Sequence, residues 1–365
     1  VDYQYQDKTY HFKRYPKTAN RSLQAWNAAD ELMLSHVHQL PEVPKSPLLL
    51  NDRFGFLSCM LHEARPVTVI EYKSQEKACI NNFERNHLKV NVNQFIDPLA
   101  PLPAATELAL IQIPKSLDLF YFYLEKLSPA LSDDGTVICA FMTRHFNVEL
   151  IKIASLFFDD VEQSKAWKKA RLLILKKKKT APKIKELITV PFDEDKVLKQ
   201  YPGVFSAEHV DYASRLLLQQ LHLKPDEIRI LDMACGNGVL AQAIQKQKPE
   251  AKLYLMDDAF LAIESAKLNI EGTRAHYHYT DTLDGVDDAF FDLIVSNPPF
   301  HFAYETNIEV AVSLFAQARR CLRPAGRLLI VANRHLNYKT HLQKMFRQVS
   351  ISAQNDKYEV IECSV

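Results

Sequence analysis

Ile230-Leu231-Asp232-Met233-Ala234-Cys235-Gly236-Asn237-Gly238-Val239 runs from a short apolar strand into a glycine turn, and a stretch of helical character, Val239 to Gln247, follows. Gly236 and Gly238 have no Cβ, so the turn can be tight and a ligand can approach the backbone closely. The next apolar run, Lys252-Leu253-Tyr254-Leu255-Met256, ends at Asp257, 25 residues after Asp232. An acidic side chain at the end of a second strand is placed to hold ribose hydroxyls. A glycine turn that follows a strand, opens a helix and precedes an acidic strand end predicts a nucleotide-type ligand on an α/β fold. The dinucleotide fingerprint is incomplete, because Ala241 stands at its third glycine. A dehydrogenase is therefore the weaker reading of this turn.

Outward from that turn, the C-terminal half alternates between two periods. Strands are predicted near 228–232, 252–257, 275–279, 291–296, 327–332 and 356–362. Helices are predicted over 207–222, 239–247, 260–269 and 308–322, the first with Val210, Ala213, Leu217 and Leu221 at helical spacing. This alternation predicts a parallel, doubly wound sheet whose ligands sit at the carboxyl ends of the strands, with a last strand running antiparallel. Asp232, Asp257, Asp281 and Asn297 fall at or just past such ends.

The tetrapeptide Asn297-Pro298-Pro299-Phe300 leaves the apolar run 291–296 in an unusual way. Proline fixes φ and donates no N–H, so the segment can form neither ladder nor helix. Two readings stand. It is a proline-rich strand exit closed by a core ring, or a stiff edge that aims the Asn297 oxygen and the Pro298 carbonyl at a planar –NH2 group while Phe300 stacks on the ring.

The turn, the acidic strand end and Asn-Pro-Pro-Phe together resemble the class I S-adenosylmethionine-dependent methyltransferases that act on amine nitrogens. Pro202-Gly203-Val204-Phe205-Ser206, Asp211 and Arg215 before the turn, and Val331-Ala332-Asn333-Arg334-His335-Leu336-Asn337-Tyr338 after it, extend the likeness. The chain resembles the bacterial ribosomal RNA guanine-N2 methyltransferases with two tandem methyltransferase-like domains, and the last stretch is more similar to the large-subunit branch than to the small-subunit one. The resemblance departs at Met233-Ala234, where the family has Leu-Gly. It implies S-adenosylmethionine as cofactor, held by Asp232, Cys235, Gly236, Gly238, Asp257, Asp281 and Phe205, with catalysis by Asn297, Pro298 and Phe300. Asp281 reads equally as a turn residue, Cys235 as a small buried one, and Asp211 as a residue that orients a helix. The substrate implied is 23S rRNA, naked or partly assembled, with 16S rRNA, adenine N6 and protein glutamine as alternatives. A non-catalytic RNA-binding assembly factor is the alternative outside enzymology.

The N-terminal half repeats the pattern. Leu48 to Leu57 echoes Ile230 to Leu240, and Val67 to Glu71 echoes the strand ending at Asp257. Cys79 to Asn86 echoes Ala262 to Asn269, Asp134-Gly135 echoes Ala325-Gly326, and Met142-Thr143-Arg144-His145 echoes Ala332-Asn333-Arg334-His335. Five echoes in one order predict a duplication. The first turn, Asn51-Asp52-Arg53-Phe54-Gly55, has one glycine and a bulky pair, and Ile113-Pro114-Lys115-Ser116 stands in place of Asn-Pro-Pro-Phe. The expected organisation is a degenerate methyltransferase-like domain over 1–185 that recognises RNA, then a catalytic domain over 186–365, with a linker near 176–195.

Charge separates the halves. Residues 1–185 hold 26 Lys and Arg against 20 Asp and Glu, and the remainder holds 19 against 24. Lys165, Lys168, Lys169, Arg171, Lys176, Lys177, Lys178 and Lys179 bracket the apolar run Leu172–Leu175 with no acidic residue between them. That run reads either as an electrostatic footprint for RNA or as a solvated turn and linker. His301 and Arg334 are further candidates for RNA contact. Six scattered cysteines without C-x-x-C spacing argue against zinc and disulfides. No apolar run approaches the ~20 residues of a membrane span, and the polar start reads as no signal peptide. A cytoplasmic monomer with no metal and no membrane partner is expected.

Overall fold

The computed structural model describes residues 2–18, 20, 22–180, 187–193, 196–207, 209–298, 301–302, 305–306 and 308–365. The chain divides into two compact units, 1–186 and 187–365. Each is built on a seven-stranded mixed sheet.

In the first unit the strands are β1 (Leu48–Leu50), β2 (Val67–Val69), β3 (Phe95–Ile96), β4 (Thr106–Gln112), β5 (Leu131–Met142), β6 (Phe158–Gln163) and β7 (Ala170–Lys178). In the second they are β8 (Arg229–Met233), β9 (Lys252–Asp257), β10 (Ala275–Tyr279), β11 (Phe291–Ser296), β12 (Leu322–Asn333), β13 (Gln348–Gln354) and β14 (Tyr358–Ser364). The spatial orders are β3-β2-β1-β4-β5-β7-β6 and β10-β9-β8-β11-β12-β14-β13. These are the same order, and in each sheet six strands point one way while one, β7 or β14, inserted beside the edge strand, runs antiparallel to both of its neighbours.

The strand β11 is buried along its whole length, as a continuous apolar run covered on both faces should be. One face packs Phe291, Phe315 and Tyr338, and the other packs Leu217, Ile244 and Ile263. The helices covering the faces include α1 (Tyr212–Gln220), α2 (Val239–Gln247), α3 (Phe260–Asn269) and α4 (Ile308–Cys321). The chain leaves β8 toward β9 and β10, then returns to the other side of β8 as β11. That reversal opens a crevice at the carboxyl ends of β8 and β11, where α/β sheets place ligands. Ser296 Oγ donates to the Met233 carbonyl at 2.5 Å and ties the two strand ends together.

Internal likeness extends to single residues. Gly55 and Gly238 both open a helix in the left-handed region, with φ of 73° and 82°. Each turns its bare Cα toward a small residue on the following helix, Cys79 in one unit and Ala266 in the other. Asn82 donates to the carbonyls of Lys13 and Phe54 and accepts from the Lys13 N–H. Asn269 donates to the carbonyls of Lys199 and Asn237 and accepts from the Lys199 N–H. Asn269 thus fastens the hairpin Ile188–Asp193 with Lys196–Gln200 to its glycine turn, and Asn82 fastens the chain just past the hairpin Asp2–Tyr5 with Lys8–His11 to its own.

Three expectations need correction. The helix expected over 207–222 is confined to Tyr212–Gln220, because Asp211 caps it and Gly203 and Ser206 before it take positive φ. The strand β13 has no counterpart among the predicted strands: its alternation, Val349, Ile351 and Ala353 inward, is diluted by small polar residues. The chain between the units is shorter than 176–195, since β7 runs to Lys178 and the second unit's hairpin starts at Ile188.

Candidate functional site

The glycine turn is held open from below. Cys235 N–H donates to the Met256 carbonyl, and Gly236 N–H donates to Asp257 Oδ2 at 2.9 Å. Asp257 Oδ1 accepts from Ala259 N–H at 2.8 Å. Asp232 Oδ2 accepts from Ala241 N–H at 3.0 Å, two residues into α2, while its Oδ1 is buried with no hydrogen-bond partner among the described residues. Burial pushes the Asp232 carboxyl up to about 7. Burial likewise raises Asp257 to about 6, against the pull of the Ala259 and Gly236 N–H groups. Cys235 is buried and burial holds its thiol well above the ordinary range, so it is no nucleophile.

A Cβ built on Gly236, which has φ of +55°, would meet no atom within 4 Å. The protein's own packing therefore leaves room there for a ligand, and what favours glycine is the left-handed backbone conformation. An orphaned carboxylate oxygen, a bare turn and an acidic strand end suit the charged amino-acid and ribose parts of S-adenosylmethionine. Ala234 shares the left-handed conformation at φ +61°, so the departure from glycine at this position is accommodated by backbone strain of about 1–2 kcal/mol.

Two measurable consequences follow from this half of the site. Gly236→Ala will leave the thermal midpoint within a few degrees of wild type but weaken S-adenosylmethionine about tenfold by calorimetric titration, since the added methyl occupies ligand space. As the proposed acceptor of ribose hydroxyls, Asp257 must be ionised, and Asp232 beside the turn is raised to about 7 as Asp257 is to about 6. Cofactor affinity is therefore expected to fall as pH drops from 8 to 5, about tenfold by pH 5 through the Asp257 step alone. Asp257→Asn will remove the lower of the two steps.

The second half of the site comes from β11. Asn297 is half-buried and Pro298 is buried just past the strand end. Asn297 Nδ2 donates to Asp211 Oδ2 at 3.2 Å and to Ser214 Oγ at 3.0 Å. The same Asp211 oxygen caps α1 by accepting from Ala213 and Ser214 N–H at 3.0 and 3.2 Å. An ionised carboxylate only accepts hydrogen bonds, so the nitrogen of the Asn297 amide must face Asp211. Its Oδ1 is thereby turned away from Asp211 as an acceptor. The role of Asp211 is larger than the helix orientation expected of it. Nothing in local sequence signals a bond across 86 residues, although an Asp before an apolar helix does signal a cap.

The remaining candidates scatter. Asp281 lies just past β10, beside Thr280, whose N–H donates to the Asp257 carbonyl. Phe205 is 63% exposed. Phe300 lies outside the described residues, as does the side chain of His301. Arg334 is exposed after β12, and its Nη1 donates to the Asn355 carbonyl at 3.3 Å. The lysine run is less free than its sequence suggests. Lys168 pairs with Glu31 at 3.1 Å, Lys177 with Asp160 at 2.9 Å, Lys178 with Asp133 at 3.2 Å and Lys179 with Asp159 at 3.4 Å. Arg171 donates to Gln163. The neighbouring strand β6 and the start of β5 bring acidic side chains that the linear run does not contain. Lys165, Lys169 and Lys176 are exposed. No group of His, Cys, Asp and Glu suited to a metal occurs among the described residues.

In the first unit, Arg53 occupies the position two residues before Gly55 that Gly236 occupies before Gly238. Its Nη2 donates to Ser74 Oγ at 2.6 Å and its guanidinium lies over the Tyr72 ring at 4.5 Å. The space above this turn is filled by the protein itself.

Comparisons with known proteins agree with this division. Residues 1–180 match the family model described as RLMG N-terminal domain, and residues 195–362 match the Methyltransferase small domain. The ribosomal RNA large subunit methyltransferase G of Photobacterium profundum is 35% identical over 98% of this chain and 97% of its own. That of Vibrio vulnificus is 32% identical over 96% of each. Among solved structures, a T. thermophilus 16S rRNA N2 methyltransferase, RsmC, in complex with AdoMet and guanosine, superposes with a TM-score of 0.78 at 21% identity. It covers all of this chain and 97% of its own, and shows the shared fold. Matched from end to end by relatives this similar, the chain belongs to the ribosomal RNA large subunit methyltransferase G family of S-adenosylmethionine-dependent rRNA methyltransferases.

Proposed function

We propose that the second unit methylates the exocyclic N2 amine of one guanine in 23S rRNA, through the cofactor site at Asp232, Gly236, Gly238 and Asp257 and the amine site at Asn297 and Pro298. The observation that carries this reading is the fixed Asn297 amide, whose Oδ1 is left to accept hydrogen from a substrate –NH2 group. The amine of guanine is a poor nucleophile because its lone pair is shared with the ring. Hydrogen bonds from that amine to Asn297 Oδ1 and the Pro298 carbonyl let the nitrogen pyramidalise and stabilise its developing positive charge. S-adenosylmethionine, when bound, would supply a methyl group from its sulfonium. Asn297 Oδ1 and the Pro298 carbonyl would hold the amine nitrogen that becomes cationic on accepting that methyl, and its extra proton would leave to water. Positioning supplies most of the acceleration. Phe300 stacks on the flipped base.

The 23S assignment rests on the names of the end-to-end relatives. The first unit, with its turn filled by Arg53, serves RNA recognition rather than cofactor binding. We place the enzyme in the cytoplasm as a monomer acting on naked or partly assembled RNA, because base flipping needs an accessible nucleotide. Six buried free cysteines suit a reducing compartment.

The test uses protein-free 23S and 16S rRNA from a strain lacking the gene, with labelled S-adenosylmethionine and digestion to nucleosides. Label in N2-methylguanosine from 23S rRNA alone is the expected result. The same nucleoside from 16S rRNA overturns the subunit assignment, and label in N6-methyladenosine or in added ribosomal protein overturns the guanine assignment.

A further inference from the structure

Residues that neither the methyl transfer nor the cofactor uses gather around Asp211 and Asn297. Tyr212 follows Asp211 in the chain and is 62% exposed at the start of α1. The Arg215 guanidinium sits 5.7 Å from its centroid, and the His209 ring sits 5.0 Å from it at 58°. The helix α1, which opens at Tyr212, packs against β12, β13 and β14. Asn333, the last residue of β12, pairs with Tyr358, the first of β14, so the turn between β13 and β14 lies at the carboxyl edge of the sheet. It is built by Asn355, whose Oδ1 accepts from Lys357 and Tyr358 N–H. Arg334 is fastened to the same turn, by its N–H to the Lys357 carbonyl at 3.0 Å and by its side chain to the Asn355 carbonyl. Lys357 is exposed and holds its ammonium 5.0 Å from the Tyr358 centroid.

An exposed aromatic ring and an exposed cation thus sit on the helix whose cap holds the Asn297 amide, and two more exposed cations sit at the carboxyl edge of the strands against which that helix packs. Single exposed rings are ordinary. A ring with guanidinium support, beside cations held by backbone bonds, is the composition of a platform for single-stranded nucleic acid, where bases stack on aromatics and phosphates meet cations. We propose that Tyr212, Arg215, Arg334 and Lys357 form a docking strip for the single-stranded RNA that flanks the target nucleotide, Tyr212 stacking on a neighbouring base and the three cations holding phosphates. The occupant follows from chemistry: Arg215, Arg334 and Lys357 outnumber Asp211 and Asp356 beside them, so the strip stays positive in a unit whose overall charge is negative and draws a polyanion to one edge. This inference rests on the function proposed above.

The test is fluorescence anisotropy of a labelled single-stranded RNA of about 12 nucleotides, within the range such sites cover, across a salt series, with full-length wild type, Tyr212→Ala, Tyr212→Phe, Arg215→Ala, Arg334→Ala and Lys357→Ala. Cofactor titration on each reports an intact second unit. Tyr212→Ala is expected to weaken RNA about tenfold and Tyr212→Phe to restore it, because stacking needs only the ring. Each cation removed is expected to shrink the slope of log affinity against log salt by about 0.7. Unchanged affinity and slope in all four alanine variants, or no oligonucleotide binding by wild type, overturns the strip. If instead the variants lose RNA as expected while wild type makes no N2-methylguanosine on 23S rRNA, the strip stands and the proposed reaction fails.

Discussion

Asn297→Ala will lower kcat for rRNA methylation by roughly 10²–10³-fold while leaving the dissociation constant for S-adenosylmethionine within about twofold of wild type. The magnitude is that of removing one oriented polar group from the place where charge develops. The loss belongs in kcat because the amide's contact strengthens as the amine turns cationic. The cofactor is spared because its candidate residues belong to β8, β9 and the turn between β8 and α2, which Asn297 does not build. Asn297→Asp is informative in the other direction: it keeps an acceptor but sets a second carboxylate against Asp211, now 3.2 Å from the nitrogen it replaces. Single-turnover methylation at saturating cofactor separates the two variants. Retention of full kcat by Asn297→Ala would remove the amide from the mechanism altogether.

Asp211→Ala is expected to lower kcat about 10²-fold with Asn297 intact, since a reacting group displaced by about 1 Å loses that much. The same substitution removes the cap of α1 and will cost about 1 kcal/mol of stability in urea. Stability loss and rate loss must therefore be separated. Asp211→Ser does so, because serine caps a helix nearly as well as aspartate but is too short to keep both the cap and the bond to Asn297. Restored stability with kcat still depressed is the signature of a positioning role. Restoration of both would reduce Asp211 to a helix cap.

The catalytic unit is legible in sequence where several local signals agree. Strand, glycine turn, helix and acidic strand end follow one another within residues 228–257, and helices 239–247 and 260–269 and strands 252–257, 275–279 and 291–296 stand where their periodicity puts them. Legibility fails where the deciding partner is distant. The bond from Asn297 to Asp211 spans two elements with no shared pattern. The lysine run at 176–179 looks unopposed in sequence because its acidic partners, Asp133, Asp159 and Asp160, arrive by sheet pairing rather than by adjacency. A lone lysine in a hairpin turn, such as Lys357, carries no signal until β12 is paired with β14. The strand β13 escapes a periodicity reading because Ser and Gln blur a sound alternation.

The paired clasps at Asn82 and Asn269 give the chain an internal control of its own history. Two copies of one blueprint diverged inside a single molecule, so each position records separately what the scaffold requires and what one copy alone retains. The asparagine clasp, the helix-opening glycine and its small neighbour stand in both copies and report on architecture. Gly236 and the amide before the prolines stand in one copy and belong to the proposed site. A sequence profile built on the first set would recover both halves of such chains, and one built on the second would recover only the half that carries the reaction.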